Sequence, residues 1–240
     1  MKSLFFTIAF LSIASISFGQ LELGPKVGYN YLFVSYSPSA SSTETPEVSG
    51  QGFHLGAYAQ IELSDGFYVG GELLASLRSY NEILGSDNTL DGIRIKNESF
   101  THRSPFYLDI PIFAKYSLNL SGSRYSSDKM LSFYAGPVAS LYMGGSGSTQ
   151  ETVRTEALNQ TTIVQTDIDF TKTEMKEYFN SFHLGVMAGV QFSLSMGLNF
   201  DLRLNRTLMP TNSTVLDEYG KVNNTIIQLS LGYNIFGSQY

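Results

Sequence analysis

FYLDIPIFAKYSL, running from Phe106 to Leu118, decides the fold. Its alternate residues Phe106, Leu108, Ile110, Ile112, Ala114, Tyr116 and Leu118 are apolar or aromatic. The interleaved set, Tyr107, Asp109, Pro111, Phe113, Lys115 and Ser117, carries both charges. Period two over this length means one extended strand with two unlike faces. Strands of soluble sheets are shorter, with a mode of about 5–6 residues. A strand crossing an outer membrane needs about 9–11 residues, apolar on the outer face and polar on the inner one.

The alternation recurs along the chain and predicts eight strands, at residues 21–35, 52–63, 67–80, 106–118, 130–144, 181–193, 197–208 and 223–236. Ser64-Asp65-Gly66 reads as a tight hairpin turn, because Asp-Gly supplies the positive-φ geometry. Residues 194–196 form a second short turn, and 119–129 a medium polar one. Residues 36–51, 81–103, 145–180 and 209–222 read as long polar loops, with a helical turn at Thr173 to Phe179. Pro137 lacks an N–H, so a bulge or weakened pairing is expected there. Long and short connections alternate, as in outer-membrane barrels, and an even strand number puts both termini in the periplasm. The reading is an all-β, eight-stranded, antiparallel up-and-down transmembrane barrel. Arg206 falls on its apolar face at the outer rim, where a lipid-facing arginine costs about 0–1 kcal/mol.

Composition agrees. Charged residues are 15% of the 240, and mean hydropathy is near zero because apolar residues are spread one in two. The length suits one barrel domain, residues 20–240, after a signal peptide at Met1 to Gly19. In that peptide Lys2 precedes an apolar run from Leu4 to Ile16 and small residues flank the cleavage position. A net charge of -6 offers no basic stripe for nucleic acid. Absence of cysteine removes disulfides, thiolate metal sites and a cysteine nucleophile.

An eight-stranded barrel is just wide enough for its interior to be filled by side chains. The inward faces carry Lys26, Glu62, Glu72, Arg78, Asp109, Lys115, Asp201 and Arg203. Both signs in a narrow lumen must pair, because an isolated buried charge is very costly. Lys26 and Glu62, at the same ends of adjacent strands, are expected to meet. Glu72, Asp109, Asp201, Lys115 and Arg203 are expected to form a mid-barrel network. Inward glycines 24, 28, 56, 70, 136, 185, 189 and 232 are expected to make room for inward tyrosines. This favours a structural plug over a conducting or proton-linked pore.

Of the three histidines, His54 and His183 point inward near the outer rim and His102 falls in a loop. His54 and His183 with Ser181 could be drawn as a rim enzyme acting on lipid. A rim histidine bonded to a loop carbonyl is the plainer reading. The chain contains no HExxH, P-loop, calcium loop or GxSxG. Outward aromatics, among them Tyr29, Tyr31, Phe33, Phe53 and Phe106, read as interface girdles.

With its strands placed, the chain resembles the PorT-like outer-membrane β-barrel family of Bacteroidetes. The carrying motifs are GPKVGYN at 24–30, GFHLGAYAQIEL at 52–63, GELL at 71–74, LDIPIFAKY at 108–116, FYAGPVASL at 133–141, FHLGVMAGVQF at 182–192 and IQLSLGYNIF at 227–236. The last strand also looks like a signal for the barrel-assembly machinery, with Gly232, Tyr233 and Phe236, although four residues follow it. The resemblance implies a barrel in a Gram-negative outer membrane. It does not carry over the namesake's part in protein secretion, because the shared motifs are barrel-building ones. The expectation is a non-enzymatic barrel without cofactor. Its partners would be outer-membrane lipid, the assembly machinery and envelope or secretion-complex proteins. A narrow channel and a lipid-modifying rim enzyme are the alternatives.

Overall fold

The computed structural model describes residues 21–37, 48–90, 93–120, 129–157, 160–212 and 221–235. The signal peptide, most of the 119–129 turn and the end of the carboxyl-terminal signature lie outside them. The strands are β1 (Leu21–Ser37), β2 (Val48–Ser64), β3 (Phe67–Leu90), β4 (Ile93–Asn119), β5 (Lys129–Ala157), β6 (Gln160–Asp169), β7 (Phe182–Leu194), β8 (Leu198–Thr207) and β9 (Lys221–Tyr233). A short helix, α1 (Lys172–Tyr178), follows β6.

Eight strands close a ring in the order β1, β2, β3, β4, β5, β7, β8, β9, with β9 returning to β1. Every pairing is antiparallel. Closure removes the sheet edges that hydrocarbon cannot satisfy. Gly66 (φ 73°) and Gly197 (φ 86°) sit in the left-handed region at the two tight turns, where a Cβ would strain the backbone.

Burial is reversed relative to a soluble protein. Inward residues of β4 (Tyr107, Asp109, Phe113, Lys115) are buried, and outward Ile112 and Tyr116 are more than half exposed. Outward Phe53, Leu55 and Leu202 are 64%, 63% and 50% exposed. So continuous an apolar surface is unsustainable in water and is what a lipid-facing band requires. The predicted faces are those observed: Lys26, Glu72, Arg78, Asp109, Lys115, Asp201 and Arg203 are all buried inside the wall. Leu202 lies mid-band between Val190 and Leu229, whereas Arg206 lies at the end of β8. Leu202→Arg should therefore lower unfolding stability in lipid by ~2–4 kcal/mol, and Met209→Arg, just past the strand, by ~0–1 kcal/mol. Denaturant titration of the barrel in vesicles measures both.

The structure corrects two expectations about the connections. Residues 81–103 are not a loop: β3 and β4 continue as a ribbon up to the Leu90–Ile93 pair, and His102 sits on β4. Most of 145–180 is strand as well. β5 pairs with β7 up to Leu141 and with β6 from Ser148, so β6 is a ninth strand outside the ring. Both ribbons leave the end of the barrel opposite the tight turns. The helical turn expected at Thr173 to Phe179 is α1. It is capped by Thr171, whose Oγ1 accepts from the Glu174 N–H while the Glu174 carboxylate accepts from the Thr171 N–H. The Thr171 N–H and then its hydroxyl hold the Glu174 carboxyl below the usual carboxylate range. At Pro137 the register does not shift. The β4–β5 ladder instead lapses between the Pro111–Val138 and Ala114–Ala135 pairs, where both prolines withhold an N–H. The bulge lies elsewhere, at Phe106/Tyr107 opposite Gly144 and Tyr142.

Candidate functional site

β1 sets the depth scale of the lumen, with Glu22, Lys26, Asn30 and Val34, every second inward residue, running from the turn end to the ribbon end. At the Glu22 level, Gln60 Nε2 donates to Glu22 at 2.5 Å, and Asn199 Nδ2 donates to Tyr58 Oη at 2.9 Å.

The Lys26 level holds the main charge network. Lys26 Nζ lies 2.9 Å from Glu72 and 3.3 Å from Asp201. Arg203 reaches Glu72 at 2.7 Å and Asp201 at 3.2 Å. Tyr134 donates its hydroxyl to Asp201 and lies beneath the Arg203 guanidinium. These residues come from β1, β3, β5 and β8, every second stave of the ring. Glycine makes the reach possible. Lys26 is flanked in register by Gly56 on β2 and Gly232 on β9, so no neighbouring side chain blocks its path to β3 or β8. Similarly, a Cβ on Gly189 would stand 2.4 Å from the Tyr134 hydroxyl.

Lys26 does not meet Glu62. Leu21 pairs with Ile61 and Lys26 with Gly56, so the stagger of the strands places Lys26 several residues away along β2. Glu62 instead accepts the Gly66 N–H of the turn at 2.9 Å. Nor do all five expected members share one network. Lys115 packs over the Tyr68 ring at 4.5 Å. Asp109 belongs to a second cluster nearer the ribbon end, receiving Arg78 at 2.5 Å and the Ser140 hydroxyl at 2.6 Å. Arg78 also stacks on Tyr107, which contacts the His183 ring. The described buried residues include five cations and five anions, so the lumen is neutral in sum.

The ribbon-end mouth is capped. Met175 in the middle of α1 and Phe179 at its C-cap bury into a cluster with Val34, Val48, Tyr80 and Val222. Beside it Arg103 pairs with Glu82 and lies 3.9 Å from the Tyr178 ring. Sequence reading missed this apolar lid because the residues are scattered over five segments and four of them, Val48, Met175, Phe179 and Val222, lie in stretches read as loop.

The histidines are not where a rim enzyme of His54, His183 and Ser181 would need them. His54 on β2 and His183 on β7 occupy opposite staves of the ring. His54 Nδ1 is 2.7 Å from Asn30 Oδ1, and its Nε2 is 2.9 Å from Ser230 Oγ. His183 packs against Tyr107, and Ser181 is exposed at the rim. His102, by contrast, faces outward from β4 and bonds Asn81 and Ser104. Among the described residues no group of three or more His, Asp or Glu could hold a metal ion.

The family model described as outer membrane protein beta-barrel domain matches residues 14–213. No curated protein matches the chain. Solved structures similar to it include Ail, the attachment invasion locus protein of Yersinia pestis, at 13% identity and TM-score 0.32, over 90% of this chain and 99% of that one. Neisserial surface protein A is similar at 11% identity and TM-score 0.34, over 88% and 97%. The translocator domain of the autotransporter NalP from Neisseria meningitidis is similar at 10% identity and TM-score 0.27, over 97% and 96%.

Proposed function

The chain belongs to the outer membrane protein beta-barrel domain family, and from that premise we propose that it is a closed outer-membrane barrel that docks an envelope partner through its ribbons. The ribbon end then faces outward and both termini lie in the periplasm, which fits the short turns at the opposite end. The lumen is a structural plug and carries no chemistry. Kinship with PorT-like barrels rests on the motifs at 108–116 and 182–192 and belongs to this reading, as does membership of a secretion complex.

The observation that carries it is the sheet standing beyond the apolar band. β3, β4, β5 and β6 run on together past the barrel rim, and β6 pairs only with β5 among the described residues. Residues 161–166 read TTIVQT, without a charge, and Ile163 and Val164 are 61% and 54% exposed. Natural edge strands are normally blunted by charge, proline or cover. An uncharged, uncovered edge is a template for strand addition by another chain. Elsewhere the ribbon is charged and solvated: Arg94 pairs with Asp87 and holds its carboxyl below the usual range.

Affinity purification of the tagged protein from gently solubilised native outer membrane tests this. The expected result is a stoichiometric envelope partner that is lost from Val164→Lys, because charge on the edge opposes pairing. Recovery of the wild type alone, or with assembly factors only, would refute docking and leave the barrel assignment standing.

A further inference from the structure

On the outward face of the wall, where β3 and β4 leave the apolar band, four polar side chains form a block that the plug and the ribbons do not use. Asn81 and His102 face each other across the two strands, with His102 Nδ1 2.7 Å from Asn81 Oδ1. Two residues along β4, Ser104 Oγ lies 3.0 Å from His102 Nε2. Ser79 Oγ, on β3, is 2.7 Å from Ser104 Oγ. Asn81 Oδ1 can only accept, so His102 carries its proton on Nδ1. Nε2 then presents a lone pair, and the Ser104 hydroxyl donates to it. This is a nucleophile held by a base that a third group orients, which is how such a centre is recognised on any fold.

Its height on the wall points to the substrate. The next outward residues toward the band are Phe106 on β4 and Leu77 on β3, 39% and 41% exposed. They end the unbroken apolar columns that run from Leu118 and Phe67; past the polar block, Ile83 and Phe100, paired across the two strands, are again apolar and exposed on the same face. Ser104 therefore stands at the boundary between hydrocarbon and headgroups, the depth at which the acyl esters of membrane lipids lie. A groove of about 250 Å³ opens beside it, lined by Tyr31, Gln51, Ser79, Asn81 and His102. The Gln51 Oε1 accepts the Tyr29 hydroxyl at 2.9 Å, which leaves the Gln51 amide N–H groups as donors on that groove.

We propose that Ser104, His102 and Asn81 form a serine hydrolase centre for long-chain fatty-acid esters of membrane lipid. It adds a reaction at the outer wall to a barrel otherwise read as non-enzymatic. Ser104 Oγ attacks the ester carbonyl carbon, and its proton passes to His102 Nε2. The tetrahedral intermediate collapses, the C–O bond to the alcohol breaks, and His102 protonates the departing alkoxide. Water, deprotonated by His102, then attacks the acyl-serine ester, releasing the fatty acid and returning the proton to Ser104. Asn81 is a positioning residue that fixes the tautomer of His102.

The lumen supplies a built-in contrast. Ser230, His54 and Asn30 repeat the connectivity, but His54 is 2% exposed and Gln228 also bonds Asn30 at 2.8 Å. No ester can approach that histidine, and the set is part of the plug.

The test begins with the full chain, refolded in detergent micelles, and a long-chain fluorophosphonate, with the modified residue located by mass spectrometry. A heat-dependent gel shift certifies that each variant is folded. The expected result is one adduct, on Ser104, whose formation accelerates as pH rises through a single ionisation. Ser104→Ala should abolish it, and His102→Gln should slow it roughly 10²–10⁴-fold. Asn81→Ala should slow it about tenfold or more, with Asn81→Asp restoring it, because a carboxylate accepts the same N–H. Ser230→Ala should react like the wild type. Vesicles of phosphatidylethanolamine and micelles of acylated glucosamine lipid then distinguish the two sources of ester, and fatty acid released from either supports the proposal. A folded wild type that neither forms the adduct nor releases fatty acid would overturn it, as would an adduct on Ser79 or persistence in Ser104→Ala. Those failures leave the docking reading untouched, since labelling does not depend on the ribbons.

Discussion

Glu72→Gln should unfold at a far lower denaturant concentration than the wild type, with a loss of about 3–5 kcal/mol. The substitution keeps the shape of the side chain and removes one charge. Glu72 Oε1 is the shared acceptor of Lys26 and Arg203, at 2.9 and 2.7 Å, and all three side chains are buried. Without its charge, two cations face Asp201 alone in a neutral, water-poor layer. The attraction lost is large because the local dielectric is low, and the desolvation already incurred is not recovered. A cycle with Arg203→Gln isolates the coupling. The double variant leaves Lys26 paired with Asp201, so it should recover much of the loss, and the non-additivity should fall within ~0.5–3 kcal/mol. Asp87→Asn, which removes the exposed partner of Arg94 on the ribbon, should leave stability unchanged, since solvent screens that pair. Equal effects of Glu72→Gln and Asp87→Asn would mean that the lumen is wet and the plug reading wrong.

The faces of the wall were legible in the sequence and the register was not, for one physical reason. Period two is imposed residue by residue by unlike media on the two sides of the strand, so each strand announces its own faces. Stagger between strands is a property of the closed ring, and no single strand encodes it. The misplacement of Lys26 against Glu62 follows from this, as does the separation of Asp109 and Lys115 from the Glu72 network. The ribbons were hidden for a related reason. Beyond the rim both faces meet water, so Ser86, Asp87 and Asn88 alternate with nothing apolar and read as loop although they pair in register with Asn97, Lys96 and Ile95. His102, Ser104 and Asn81 fell with them. One signal was present: His102-Arg103-Ser104-Pro105-Phe106 continues the outward period of β4 without a break, which puts His102 and Ser104 on one face. The partner, Asn81, comes only from the β3–β4 register.

The wild-type barrel should be silent in planar bilayers, and two independent closures should have to be removed before it conducts. The first is the α1 lid, where Met175 and Phe179 seal the mouth against Val34, Val48, Tyr80 and Val222. The second is the charged layer of Lys26, Glu72, Asp201 and Arg203, which crosses the lumen from alternate staves. They lie at different depths, so they act in series, and opening one leaves the other intact. Met175→Ser with Phe179→Ser should open only the mouth. Asp201→Ser with Arg203→Ser removes one charge of each sign and keeps the Lys26–Glu72 pair, so it thins the layer without stranding a charge. Each double variant should stay silent, and the quadruple variant should show ohmic steps. Single-channel recording at matched protein density, with folding confirmed beforehand, measures all four proteins. Steady steps from the wild type would establish the channel reading in place of the plug. Steps from the charge variant alone would show that the lid does not seal. Silence of the quadruple variant would move the seal to the layers left intact, the Arg78–Asp109 cluster, the His54–Asn30 set or the Tyr58, Asn199 and Asn234 layer, where Asn199 Nδ2 donates to both of the others at 2.9 and 3.0 Å.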